Sequence, residues 1–192
     1  LIILPGSKNT RGDLAWLDMH GWREQIARHL RYGGKVMGVC GGFQMLGKTV
    51  GDPHGVEGAP GVSNGLGLLD IDTELTRDKQ LTRVEGLCAF VPGEASGRVS
   101  GYEIHMGVSS GAEMTRPVFV IDGRGEGAMS ADGQIMGTYL HGLFDHPDAC
   151  SALLRWAGSR SEQVVDTAQL REASLDRIAA SVEGLLDRLI DL

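Results

Sequence analysis

The sequence predicts an α/β fold, a doubly wound mixed sheet flanked by helices, and three observations predict it. Strand-length apolar runs occupy residues 1–4 and 35–39, and each ends in small or polar residues. A segment with helical periodicity lies between them, giving the strand–helix–strand order that lays parallel strands side by side. The second strand then runs into Cys40 between small residues, followed by the apolar helical stretch Phe43-Gln44-Met45-Leu46.

Taken in order, Leu1-Ile2-Ile3-Leu4 is continuously apolar and reads as a parallel strand buried on both faces. Pro5-Gly6-Ser7-Lys8-Asn9-Thr10 is a loop at its C-terminal end, where such sheets build ligand sites. Residues 13–19 read as a short helical piece. Residues 20–32 place Trp22, Ile26 and Leu30 on one helical face, with Arg23, Glu24 and Arg28 outside. Gly33-Gly34 stops that helix and feeds the strand at 35–39. Residues 50–64 are rich in glycine and proline and read as a long loop. Strand candidates follow at 66–75, 87–91, 98–106, 117–121 and 134–140, a half that reads as largely antiparallel. Pro147 opens a helix reaching Trp156. A last amphipathic helix carries Leu170, Leu175, Ile178, Val182, Leu185 and Leu189, and reads as packing or as a contact face for a missing domain.

Composition narrows the function. A chain of 192 residues is long enough for one substantial core. The net charge of -7, with no basic cluster, disfavours a nucleic-acid or membrane-surface partner. No apolar run is long enough to span a bilayer and no signal peptide is visible. Cys40, Cys88 and Cys150 are too scattered for a disulfide framework or a zinc site, so no metal is expected and a reducing cytoplasm fits best. The chain starts inside an apolar run without an initiator methionine, and reads as a domain lacking its first strands.

The chemistry centres on Gly38-Val39-Cys40-Gly41-Gly42-Phe43-Gln44-Met45-Leu46-Gly47. A strand, a cysteine flanked by glycines and then a helix is the pattern of a nucleophile elbow, whose strained backbone needs glycine on either side. The helix N-terminus is expected to favour thiolate over thiol. The same stretch carries a rival: Gly42-Phe43-Gln44-Met45-Leu46-Gly47-Lys48-Thr49 fits the phosphate-loop pattern, with Asp70 or Asp122 as the magnesium-side acid. Phe43, Met45 and Leu46 would crowd an anion cradle, whereas on a helix they pack. The elbow is therefore favoured.

Two further strings hold candidate residues. In Gly101-Tyr102-Glu103-Ile104-His105-Met106, period-two alternation puts Tyr102, Ile104 and Met106 on one face and Glu103 with His105 on the other. That pair is either a solvated surface pair or part of a site. In Gly137-Thr138-Tyr139-Leu140-His141-Gly142-Leu143-Phe144, a strand ends at His141, the base to test beside an elbow cysteine.

With those residues in hand, the chain resembles the glutamine amidotransferase domain of the cobyric acid synthase branch, a triad-type class I family. The matching strings are Leu4 to Thr10, Gly38 to Gly47, Asp52-Pro53-His54-Gly55-Val56-Glu57-Gly58, Gly101 to Gly107 and Tyr139 to Phe144. The resemblance also makes the phosphate-loop match a coincidence. It implies a class I amidotransferase-like, flavodoxin-like sheet over residues 1–160, with residues 161–192 as a C-terminal helix on the domain or on a partner. It implies that Cys40 attacks the side-chain amide of glutamine and that His141 protonates ammonia and then activates water. Gly41 and Gly6 amides would form the oxyanion hole, while Gln44, Ser7, Glu103 and His105 would contact substrate. Ammonia would pass to an N-terminal synthetase domain holding ATP, magnesium and the corrin acceptor, adenosylcobyrinic acid a,c-diamide. No cofactor is expected in this chain. The close alternatives are domains of cobyrinic a,c-diamide synthase or of a peptidoglycan lipid II amidating enzyme. One departure stands out: the superfamily's glutamate two residues after the histidine is Leu143 here, leaving Glu103, Asp145 or the backbone to orient His141.

Overall fold

The computed structural model describes residues 1–91, 97–160 and 166–190, with the side chains of 168 and 183–190 left undescribed. The chain runs β1 (Ile2–Leu4), α1 (Thr10–Met19), α2 (Trp22–Arg31), β2 (Val36–Val39), α3 (Gly41–Leu46), β3 (Thr49–Asp52), β4 (Gly61–Asn64) and β5 (Ile71–Cys88). It continues through β6 (Arg98–Gly111), a 3-10 turn (Ala112–Thr115), β7 (Phe119–Ile121), β8 (Arg124–Glu126), β9 (Ala128–Met129), β10 (Ile135–Thr138), β11 (Leu140–His141), α4 (Pro147–Trp156) and α5 (Thr167–Ile190).

Two sheets share the work. The first has the order β1-β2-β10-β9. Its first three strands are parallel and β9 is antiparallel to β10. Its central strands bury both faces, as parallel strands covered on two sides do. Val36 and Ile135 enter a core with Leu14, Ile26 and Phe43. Their neighbours Met37 and Met136 enter a second core with Val84, Phe119, Leu140 and Leu153. The second sheet follows β11-β6-β5-β3-β4, with β7 and β8 on a side branch, and is antiparallel except for the β3–β5 pair. The chain passes from one sheet to the other at Tyr139, between β10 and β11.

Local signals explain the helices. The Asn9 side chain caps α1 by accepting from the Gly12 amide at 3.0 Å. α1 and α2 are separate helices, as the two segments at 13–19 and 20–32 predict, with α1 starting three residues earlier and Gly21 taking a left-handed φ of 71° between them. α2 buries Ile26, while Trp22 is 41% exposed and so does not share the buried face expected of it. Pro147 opens α4 as expected, after His146 as cap.

Several strands differ from the sequence reading. Residues 50–64 are a hairpin rather than a loop: β3 and β4 pair from Thr49↔Asn64 to Asp52↔Gly61. Glycines mask the alternation that buries Val50 and Asp52. The candidates at 66–75 and 87–91 overlap the two ends of one strand, β5, of 18 residues from Ile71 to Cys88. Its residues 77–83 are exposed, since there β5 and β6 form a ribbon with solvent on both sides and no hydrophobic period to read. β6 likewise runs on to Gly111, and β8 and β9 carried too few apolar residues to register. The candidate at 134–140 divides at Tyr139 into strands of different sheets. In α5, Leu170, Leu175, Ile178 and Val182 are 44–61% exposed and belong to neither hydrophobic core, while the side chains of Leu185 and Leu189 lie outside the described residues. No helix of the described residues is long and apolar enough to cross a membrane.

Candidate active site

Cys40 lies one residue beyond β2, with φ 54° and ψ −114°. Apart from Asp122, it is the residue other than glycine at positive φ among those described. The conformation is strained for an L-residue, and the surroundings hold it there: the Cys40 amide donates to the Thr138 carbonyl at 2.8 Å. Glycine is needed nearby for backbone clearance. A Cβ on Gly41 would lie 2.8 Å from the Ser7 amide nitrogen, and one on Gly42 would run into the Leu4 carbonyl. The β1–α1 loop and the start of α3 therefore touch backbone to backbone beside the thiol.

Two further segments complete the site. The Cys40 thiol donates to the Ile104 carbonyl at 3.3 Å. His141 Nε2 meets the same oxygen at 3.1 Å. A carbonyl only accepts, so Nε2 carries the proton in this arrangement. Nucleophile and base thus converge on one backbone oxygen of β6. Gly6 sits between them: a Cβ there would be 3.6 Å from Cys40 Cβ and 3.7 Å from His141 Cε1. A cavity of about 500 Å³ opens over these groups, and Gln44, Glu57, Lys8 and Lys79 add to its lining.

The thiol's state differs from the sequence expectation. Burial pushes the Cys40 thiol up, the Gly41 amide pulls it down, and the charge of Glu57 pushes it up again, leaving it above its ordinary value. Burial thus opposes the ionised form that the start of α3 was expected to favour.

The remaining candidates fall into three situations. Gln44 is 2% exposed, and its amide braces three segments. Its Nε2 donates to the Met106 carbonyl at 3.0 Å and to Tyr139 Oη at 3.4 Å, and its Oε1 accepts from Thr10 Oγ1 at 3.3 Å. Ser7 lines the cavity, with its hydroxyl donating to Asp13 at 2.5 Å. His105 also lines the cavity, its ring stacked on Tyr139 at 3.9 Å between centroids and its Nδ1 donating to the Gly107 carbonyl. Glu103 lies elsewhere. Its carboxylate pairs with Arg124 and faces His105, and it lines a separate cavity on the β5–β6 ribbon. It does not orient His141, whose ring is instead held by the Ile104 backbone.

The phosphate-loop reading does not survive the geometry. Gly42 to Leu46 form α3 itself, with Phe43, Met45 and Leu46 buried, so no amide cradle exists there. Lys48 instead pairs with Asp70 and Asp72 at the surface. Sequence reasoning missed Glu57, whose carboxylate accepts from the Thr10 amide at 2.6 Å and Thr10 Oγ1 at 3.0 Å while facing the cavity. An acid between glycines in the 52–58 string was the available signal. Lys79 lay in the part of β5 that showed no pattern.

Comparison with known proteins gives the family and the fold. The sequence model of the CobB/CobQ-like glutamine amidotransferase domain matches residues 1–149. A solved structure described as a glutamine amidotransferase shares the fold at a TM-score of 0.57, with 15% identity over 82% of this chain and 78% of that one. The structure of PurLQS from Thermotoga maritima matches at a TM-score of 0.50 and 16% identity, covering 70% of this chain and 67% of that one. At these identities the likeness is one of fold.

Proposed function

The chain belongs to the CobB/CobQ-like glutamine amidotransferase domain family, and from that premise we propose that it hydrolyses glutamine at Cys40 and His141 to supply ammonia for a cobyric acid synthase. The observation that carries the glutaminase reading is the convergence of the Cys40 thiol and His141 Nε2 on the Ile104 carbonyl, with Gly6 between them. The finer assignment rests on the five matching strings. Its acceptor would be the carboxylates of adenosylcobyrinic acid a,c-diamide, held with ATP and magnesium by a synthetase domain, and its setting the cytoplasm.

In this mechanism glutamine first displaces the thiol and imidazole from the Ile104 oxygen. The Cys40 proton passes to the imidazole, whose Nε2 must then be the free nitrogen. The thiolate adds to the side-chain carbonyl, and the Gly41 and Gly6 amides hold the oxyanion. His141 returns its proton to the leaving nitrogen, ammonia departs, and the ring next draws a proton from the water that opens the thioester to glutamate.

Free glutamine is a zwitterion, and the cavity offers a counterpart for each end. Glu57 suits the α-ammonium, and Lys79 or Lys8 the α-carboxylate. Glu57→Gln is therefore expected to raise the KM for glutamine roughly tenfold or more, about the worth of one charge-assisted hydrogen bond. It should also speed alkylation of Cys40 by iodoacetamide at pH 8, because Glu57 pushes the thiol up. A slower alkylation would deny the electrostatic role.

The test of the function is intact-mass analysis after incubation with 6-diazo-5-oxo-norleucine, a glutamine-like electrophile. One adduct on Cys40, suppressed by excess glutamine, is expected. Labelling that glutamine does not suppress would mean that the cavity is not a glutamine site.

A further inference from the structure

Glu126 is 3% exposed, sits at the end of β8 and takes no part in the chemistry above. Among the described residues no cation is hydrogen-bonded to its carboxylate: the nearby Arg124 guanidinium pairs with Glu103. Burying a carboxylate in this way is unfavourable, so its bonds repay attention. Oε2 accepts from Thr138 Oγ1 at 2.6 Å, and Oε1 accepts from the Tyr139 amide at 2.6 Å. Thr138 Oγ1 in turn accepts from the Leu140 amide at 2.9 Å. Three successive residues are thus held, directly or through one hydroxyl, by one side chain.

Those residues are the joint between the two sheets. On one side of it, Thr138 pairs with Val39 and its carbonyl holds the Cys40 amide. On the other, Leu140 and His141 pair with Glu103 and Tyr102 of β6. The separation of nucleophile and base is therefore set by the bend at Tyr139. A strand leaving one sheet for another loses its ladder partners at the crossing, and the Glu126 carboxylate replaces them. We propose that Glu126 is a positioning residue, clamping the Thr138–Leu140 joint so that His141 is held in reach of Cys40; this rests on the glutaminase reading.

The clamp is complete when the carboxyl is ionised and accepts at both oxygens. The Tyr139 amide can only donate, and the Thr138 hydroxyl gives its one proton to Oε2 while accepting from the Leu140 amide. Glutamine in place of Glu126 has one acceptor oxygen: with it on the Tyr139 amide, an NH2 faces Thr138, whose hydroxyl must turn to accept, and that arm is weakened. Burial pushes the Glu126 carboxyl up to about 7, against the pull of the Thr138 and Tyr139 bonds, with Glu103 raising it and Arg124 lowering it. The pair of short bonds is what offsets the loss of solvent.

The test compares the wild-type chain with Glu126→Gln and Thr138→Val, following glutamine hydrolysis, thermal unfolding and the His141 ring N–H signal in protein carrying 15N-histidine. Each substitution is expected to lower kcat roughly tenfold or more, as a displaced catalytic group does, with KM within about twofold and the His141 signal shifted in protein still folded at the assay temperature, while Tm falls by a few degrees because a buried bond is lost. Unchanged kcat with an unshifted His141 signal overturns the proposal. So does a fall in kcat that tracks lost thermal stability with the His141 signal in place. A wild-type chain that hydrolyses no glutamine, yet shows the His141 shift in both variants, would sink the glutaminase reading and leave the clamp standing.

Discussion

Cys40→Ser is expected to abolish glutamine hydrolysis, by about 10⁴-fold or more, while leaving the fold as it is. The magnitude follows from where the side chain sits. The thiol already lies above its ordinary value through burial and the charge of Glu57, and only the Gly41 amide works the other way. A serine hydroxyl at the same place would meet the same desolvation from a starting point several units higher, with the same base to take its proton. That base holds a proton of its own on Nε2 in the unliganded arrangement, since it donates to the Ile104 carbonyl. A hydroxyl therefore stays protonated where a thiol, with its lower intrinsic value, can still ionise. The fold should not notice, because the serine hydroxyl donates to the Ile104 oxygen as the thiol does. The measurement is coupled glutamate release beside a melting curve, with glutamine turnover in pure Cys40→Ser protein as the outcome that removes Cys40 from the chemistry. The sign of the pH effect is set too. A raised thiol gains reactivity as pH rises through and beyond its ordinary value of 9.0, so iodoacetamide alkylation of the unliganded wild type should still be climbing there.

What was legible in the sequence was what the backbone forces. The elbow could be read because a cysteine at φ 54° leaves a trace in its neighbours: Gly38, Gly41 and Gly42 all face backbone atoms too close for a Cβ. His141 was legible as the end of an apolar strand. The Ile104 carbonyl, on which both converge, could not be read, because a backbone oxygen has no letter in the sequence. Glu103 was misplaced for a related reason. Alternation put Glu103 and His105 on one face, and there they do meet, His105 Nε2 lying 3.4 Å from Glu103 Oε1, but only His105 reaches the active-site cavity while the Glu103 carboxylate pairs with Arg124 of β8, a partner from a distant part of the chain. The solvent-washed half of β5 and the exposed face of α5 mark the opposite limit. There the hydrophobic pattern either vanishes or lies on an exposed face.

Gly42→Ala should be among the most damaging conservative changes outside the chemistry, lowering stability by about 3 kcal/mol or more. The added methyl would collide with the Leu4 carbonyl and approach the Pro5 carbonyl oxygen at 2.8 Å. Neither obstacle is a side chain that can rotate away. Leu4 is fixed by its pairing with Gly38 in the β1–β2 ladder, and a Cβ on Gly38 would itself lie 2.5 Å from the Gly42 carbonyl oxygen. β1, β2 and α3 therefore meet through bare backbone at this point, and one methyl must pry all three apart. The same movement carries Gly6 away from Cys40, so glutamine-suppressible labelling by the diazo electrophile should be lost along with stability. For a chain of this size the loss corresponds to a fall in Tm of roughly 10 °C. Gly58→Ala makes the comparison clean: that position has open space and no left-handed φ, so its Tm should move by less than about 2 °C. Equal melting of the two variants would mean that the β1–α1 loop yields freely, and the contact between Gly6 and the elbow would then need another anchor.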